Sequence, residues 1–235
     1  MKCAQSVRQF AWIASVAASL GLVHAPTLLA KEPPAEVSSD GLHLQKNTKS
    51  RVVYARPGTT WGKYTKLAVI DCLVEFDKNW ERDYNNDQIS LSNRVTEADM
   101  ERIKTELAAR FKTVFTKQLQ SKGGYQVVDT AGPDVLTVRP AIVNLRVTAP
   151  DLMSSGYRAA AVRSAGSMTL YVELWDSQSK TILARAIDAQ ADSGLGGVGQ
   201  RANKVTNTAA ADEIIEGWAD SLRQGLDAAR AKPAD

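Results

Sequence analysis

The chain has 235 residues, 44% hydrophobic and 23% charged, proportions that exclude a disordered chain, a collagen-like fibre and a multi-span membrane protein. Lys and Arg number 29 against 26 for Asp and Glu, and two of those bases, Lys2 and Arg8, lie in a first thirty residues that hold no acid. Setting that segment aside leaves 27 bases against 26 acids, so no basic footprint for nucleic acid remains.

Residues 1–9 are short and basic, residues 10–23 form an apolar run, and Leu28-Leu29-Ala30 precede Lys31. This is the order of a secretory signal peptide: bases held in the cytosol, a short apolar helix in the bilayer, then a small residue for the peptidase. Cleavage is expected near Ala30, because a cut after Ala25 would place Pro26 at the scissile bond. The alternative is an uncleaved anchor in the inner membrane over residues 10–30. That stretch is interrupted by His24 and Pro26, whereas a spanning helix wants ~20 mainly apolar residues. The expected address is the periplasm or beyond. Cys3 falls inside the signal with no apolar segment before it, so no lipobox and no direct lipid anchor are expected. Cys72 is then the one thiol of the mature chain, which precludes an intrachain disulfide; in a strand pattern it reads as buried and inert.

Residues 31–50, with Pro33-Pro34 and scattered charges, read as an extended N-terminal arm or linker. Residues 51–229 read as a single domain and 230–235 as a tail. Within the domain, a strand at 52–55 is closed by the turn Arg56-Pro57-Gly58. Residues 66–76 (KLAVIDCLVEF) form a near-continuous run suited to one central strand, and the polar residues 77–93 a long loop. The spacing predicts a helix over 96–119. Thr96 and Asp99 make its capping box, and Met100, Ile103, Leu107, Phe111, Val114, Phe115 and Leu119 its apolar stripe. Lys117, Lys122 and Gly123-Gly124 stop it. A strand at 125–129 follows, then a turn and a long strand at 135–147, where Pro140 implies a bulge or an edge. Residues 151–166 carry no clear pattern. Residues 167–175 and 181–189 make a hairpin around a five-residue loop, 193–205 a glycine-rich loop, and 212–228 a final helix that Thr208 caps. The order predicts an α+β fold: a mixed, mostly antiparallel sheet with two helices on one face, a two-layer sandwich.

The stretch Gly62-Lys63-Tyr64 with KLAVID, the helix ending in GGYQVVD, AGPDVLTVRPAIVNL, the hairpin MTLYVELWDSQSKTILARAID and the terminal WADSLRQGLD together resemble the bacterial domain-of-unknown-function family 3313. The resemblance spans residues 41–227. It implies an exported protein, often lipoprotein-like, and assigns no reaction. Cys72 stands where the family pattern leads one to expect proline after Asp71, and the lipobox is missing. More distantly, the element order is similar to curli-secretion-like and Tol-like domains of envelope assemblies.

Catalytic motifs are sparse. Gly194, Gly196 and Gly199 satisfy G-x-G-x-x-G, but the preceding strand is a hairpin arm and the helix starts well after, so a flexible loop fits better than a dinucleotide site. Asp83, Asn85 and Asp87 alternate like the start of a calcium loop, yet Gln88 and Arg94 occupy the positions that need glycine and glutamate. With His43 as the one histidine past the signal, neither a catalytic triad nor a zinc site is expected, and no metal or cofactor is called for. Asp71, Glu75, Asp176 and Asp188 are the carboxylates that a sheet could bring together for hydrolysis, though Arg139, Arg146 and Arg185 offer them ion-pair partners. The best binding candidates are Trp61, Tyr64, Trp80, Tyr84 and Arg139, aromatics in turn-rich segments with an arginine, the residue types enriched at interfaces; the bland alternative is that Trp61 and Tyr64 seal one end of the core. Trp175 and Trp218 read as core. The expected function is a non-catalytic binding or envelope-assembly module with an envelope or outer-membrane protein partner; the alternatives are a carboxylate hydrolase and a small-ligand carrier.

Overall fold

The computed structural model of the protein describes residues 33–46, 48, 52–152, 160–162, 166–191, 200–202 and 204–231. The chain divides into two units at Pro33/Pro34, and the fold described below belongs to the second, residues 34–235. The expected signal segment and the G-x-G-x-x-G run lie outside the described residues.

The strands are β1 (His43–Leu44), β2 (Val52–Ala55), β3 (Lys66–Val69), β4 (Leu73–Phe76), β5 (Gln126–Val127), β6 (Val135–Val147), β7 (Ala160–Val162), β8 (Gly166–Asp176), β9 (Ile182–Ala191) and β10 (Gln200–Ala202). The helices are α1 (Trp80–Asn86), α2 (Glu97–Gln120) and α3 (Lys204–Arg230). The main sheet runs β1-β2-β9-β8-β6-β3-β5, with β4 also on β6. Pairings from β1 through β6 are antiparallel, whereas β3, β4 and β5 join in parallel. The α+β class and the mixed, mostly antiparallel sheet are as the sequence predicts.

Four stretches differ from the sequence reading. The run at 66–76 is two strands, because four steps from Val69 to Leu73 are matched by three from Val138 to Ala141 on β6. The carbonyl of Val138 faces β3, where it accepts from Ile70 N, so two residues on Pro140 faces the same way with no N–H to give. The ladder breaks there and the extra residue bulges out. Residues 77–93 are not a plain loop: they hold α1 and a short 3-10 turn at Leu91–Asn93. The strand expected at 125–129 is only Gln126–Val127. Finally, α3 starts at Lys204, and β10 pairs antiparallel with β7 where a glycine-rich loop was expected.

Along β6, Leu136, Val138, Pro140 and Ile142 are buried, and then the phase changes to Leu145. Asn144, at φ 53°, absorbs the shift, and the register with β8 slips between Val143 and Arg146. Met168, Leu170, Val172 and Leu174 of β8 point to the same side, where α2 brings Phe111, Phe115 and Leu119 and α3 brings Ile215, Trp218 and Leu226. Phe111 and Phe115 stack at 4.6 Å. The capping box holds: Asp99 N donates to Thr96 Oγ1 at 3.2 Å and Thr96 N to Asp99 Oδ2 at 3.1 Å.

Elementary dimensions then account for a large gap at one end of the sheet. Seven strands side by side span roughly 29 Å at ~4.8 Å spacing, and two packed helices cover only ~20 Å at ~10 Å each. Helix α2 packs against β4 and β5 with α3 beside it, so the inner face at the β2–β9 end of the sheet is left under-covered beneath α3.

Candidate functional site

The gap is a cleft of about 1040 Å³ between the C-terminal half of α3 and the β2–β9 end of the sheet. That is just above the ~300–1,000 Å³ range of small-molecule sites. Its floor is Val172 and Leu174 from β8, Ala184 and Ala186 from β9, and Val53 and Ala55 from β2; its roof is Leu222, Gly225, Leu226 and Ala229 from α3. Alanine or glycine stands at five of these ten positions, where a leucine would narrow the space. The turn at residues 56–62 forms one end, and His43, Gln45, Lys46 and Thr48 form the side beside β1.

The walls are pinned. Asp176, at the β8–β9 hairpin, accepts from Ser179 N at 2.8 Å and Gln178 N at 3.0 Å through Oδ1, and from Tyr64 Oη at 2.7 Å and Lys63 Nζ at 3.1 Å through Oδ2. These bonds, the one from Ser179 foremost, outweigh its burial and hold its carboxyl below the usual range. The 61–64 segment is thereby fastened to the hairpin. Ser177, buried, closes a reciprocal pair with Gly132, donating to its carbonyl at 2.8 Å and accepting from its N–H at 3.0 Å. Arg56 donates to the carbonyls of Ile182 at 2.7 Å and Asp40 at 3.2 Å.

On the opposite face of the sheet, Arg185 meets Asp40 at 2.5 Å and Glu173 at 3.0 Å. Burial acts to raise the Glu173 carboxyl, but bonds from Tyr171, Arg185 and Trp175 prevail and leave it lowered. Burial, with the Glu173 bond, pushes the Tyr171 hydroxyl up to about 12. This network ties the stretch expected as an extended arm to the sheet: Val37 bridges His43, and Leu42 is fully buried with Tyr54 and Ile182. Trp175 is half-buried against that cluster, with its Nε1 on Glu173, and Trp218 is in the main core.

The five sequence-picked binding residues separate. Trp61 is half-buried and lines the cleft; Tyr64, its ring 6.4 Å from that of Trp61, is buried beneath it. Trp80 and Tyr84 lie on α1 in a distinct cluster with Val95 and Leu152; Trp80 is buried, stacks on Phe76 at 4.4 Å and donates to the carbonyl of Val147 at 3.1 Å. Arg139 is exposed on the face away from the helices, its guanidinium 5.1 Å from the Trp175 ring centroid. The sequence reading missed Lys46, Arg56 and Arg230 as cleft residues. The one hint was ARAIDA in β9, where alanines alternate on the inward side.

The candidate carboxylates do not converge. Asp71 pairs with Lys112 at 2.6 Å, Glu75 with Lys104 at 3.0 Å, and Asp188 accepts from Trp218 Nε1 at 3.2 Å. None lines the cleft. Among the described residues no group of three or more His, Cys, Asp or Glu side chains is placed to hold a metal ion, and no helix is long and apolar enough to cross a membrane.

Sheet, helices and cleft define a two-layer α+β domain with an open groove at one sheet end. The chain belongs to the family described as Protein of unknown function (DUF3313), which matches residues 37–222. No curated protein matches it in sequence. Among solved structures it is similar to the PelC dodecamer from Paraburkholderia phytofirmans, at 11% identity over 73% of this chain and 96% of that one, TM-score 0.38. It is also similar to protein XCC0632 from Xanthomonas campestris, at 12% identity over 73% and 90%, TM-score 0.32. A neuraminyllactose-binding hemagglutinin homologue from Helicobacter pylori is 13% identical over 74% and 91%, TM-score 0.33.

Proposed function

We propose that this chain is an exported, non-catalytic binding module of the periplasm that holds a small ligand in the cleft between α3 and the β2–β9 end of the sheet. The observation that carries the reading is the cleft itself: about 1040 Å³ of apolar-floored space, kept open by alanine and glycine. Its walls are fixed by hydrogen bonds at Asp176 and Arg56. Preformed apolar space with a few polar groups at its margin is the usual form of a ligand site. A hydrolase reading draws no support, because its four carboxylates are spread over the molecule and engaged elsewhere. Export rests on the signal-like first thirty residues.

The test uses the full chain, recovered by osmotic shock and sprayed under native conditions. The expected result is a chain shortened near Ala30 carrying extra, dissociable mass. A Cβ at Gly225 meets nothing within 4 Å, so Gly225→Trp fills the cleft without a backbone clash and should lose that mass. Recovery in the cytosol alone would overturn the export half of the reading. Equal ligand mass on the wild type and on a folded Gly225→Trp chain would overturn the cleft half.

A further inference from the structure

Resting on that reading, we propose that the cleft takes a long-chain carboxylic acid, its alkyl chain along the β9–α3 floor and its carboxylate among Lys46, Arg56 and Arg230. The charge around the cleft is one-sided: besides Arg185, whose side chain lies on the other face of the sheet, the lining residues include Lys46, Arg56 and Arg230 and no Asp or Glu. Arg185 is neutralised by Asp40 and Glu173. Arg56 meets two backbone carbonyls, which carry no net charge to neutralise it. Lys46 and Arg230 are exposed, the Arg230 guanidinium 5.5 Å from the Tyr125 ring centroid, while Val172, Leu174, Ala184 and Leu226 are buried. Cations at the margin of an apolar floor match one end of an anionic amphiphile each.

A peptide fits this groove less well. An extended segment binds a sheet by taking up free backbone groups at its edge. Here β2 is paired on both sides, with β9 and with β1, and the carbonyl of Val53 already accepts from Gln45 N at 2.8 Å. A peptide laid in the cleft would leave its own amides unsatisfied, at a cost of roughly 1–3 kcal/mol each. An alkyl chain has none to satisfy.

The experiment titrates the purified full chain with dansyl-undecanoic acid, a fluorescent carboxylate, and then displaces it with palmitate, hexadecanol or hexadecyltrimethylammonium. The expected result is saturable binding, with palmitate displacing at about tenfold lower concentration than hexadecanol, a gap of ~1.4 kcal/mol. That gap should narrow with added salt. Lys46→Gln combined with Arg230→Gln should remove most of it and leave hexadecanol unchanged. This pair is chosen because Arg56 also braces the turn, so its own variant would mix folding with binding. If palmitate and hexadecanol displace equally and the double variant changes nothing, while Gly225→Trp abolishes binding, the cleft reading stands and the carboxylate inference is overturned. Failure of the probe to bind the wild type overturns the inference. Binding untouched by a folded Gly225→Trp chain overturns both.

Discussion

Replacing Asp176 by asparagine tests whether the cleft wall is held as described. Asparagine keeps one carbonyl oxygen for the backbone N–H groups of Gln178 and Ser179, but puts an NH₂ where Oδ2 now faces Tyr64 Oη at 2.7 Å and Lys63 Nζ at 3.1 Å. Lys63 is half exposed, at 50% for its side chain, so its share is at most ~1 kcal/mol. The Tyr64 bond is different: the ring is buried, and a hydrogen bond to a charged group there contributes roughly 1.5–3 kcal/mol. The expected loss is about 2–3 kcal/mol at neutral pH, a fall in Tm of about 4–12 °C for a domain of this size. The pH dependence has a definite sign. Because the folded carboxyl is held low, its contribution is complete above the ordinary pKa of ~3.9. It fades as pH falls through the lower folded value, so the gap between wild type and variant closes in acid. Thermal melts of wild type, Asp176→Asn, Tyr64→Phe and the double variant at several pH values measure it. A Tm within about 1 °C of wild type, or single losses that add within ~0.3 kcal/mol in the double variant, would refute the clamp.

Three further outcomes follow from burial and backbone geometry. Burial pushes the Cys72 thiol up to about 12, so a thiol reagent at pH 8 should leave the native chain unlabelled and label it fully in denaturant; rapid native labelling would contradict the burial. Gly124→Ala would set a Cβ 1.9 Å from the Leu119 carbonyl oxygen, at the close of α2, and should cost about 3 kcal/mol or prevent folding, read by denaturant midpoint; a midpoint near wild type would contradict that approach. Phe115→Ala should cost roughly 3–5 kcal/mol by the same measurement, while Ile89→Ala, at a fully exposed side chain, should stay within ~0.5 kcal/mol, and similar losses at both would contradict the assigned core.

The parts of the fold legible in the sequence are those whose cause is local. Helix α2 announces itself because Thr96 and Asp99 sit three residues apart ahead of a regular apolar stripe. The β8–β9 hairpin does so because two alternating runs flank a polar loop. What escaped depends on distant partners. The break between β3 and β4 is caused by Pro140 on another strand, and nothing in KLAVIDCLVEF records it. Helix α1 has no side-chain cap of its own. Its order comes from Trp80 against Phe76 and from Asn85, whose side chain clamps Val95 N at 2.7 Å and its carbonyl at 3.0 Å. The aromatic candidates were chosen by neighbourhood in sequence, and so Trp61 reached the cleft while Trp80 went into packing. Lys46, Arg56 and Arg230 come from the two ends of the domain, and only the tertiary fold brings them to the lining of one cleft.

The cleft's composition bears on whether it is a site or merely loose packing. Side chains in a protein interior fill space to near crystal density, and a buried leucine in place of alanine would add roughly 1.5–3 kcal/mol. Ala55, Ala184, Ala186, Gly225 and Ala229, drawn from two strands and a helix, each forgo that gain around one volume. A loosely packed end of a domain would be expected to have loosely held walls as well. Here the opposite holds: the hairpin is tied to Tyr64 and Lys63, the turn to Ile182, and the β1 segment to Arg185 through Asp40. Stability is given up in the space and regained in its frame, and rigid walls around an unfilled apolar volume are what a preorganised binding site requires.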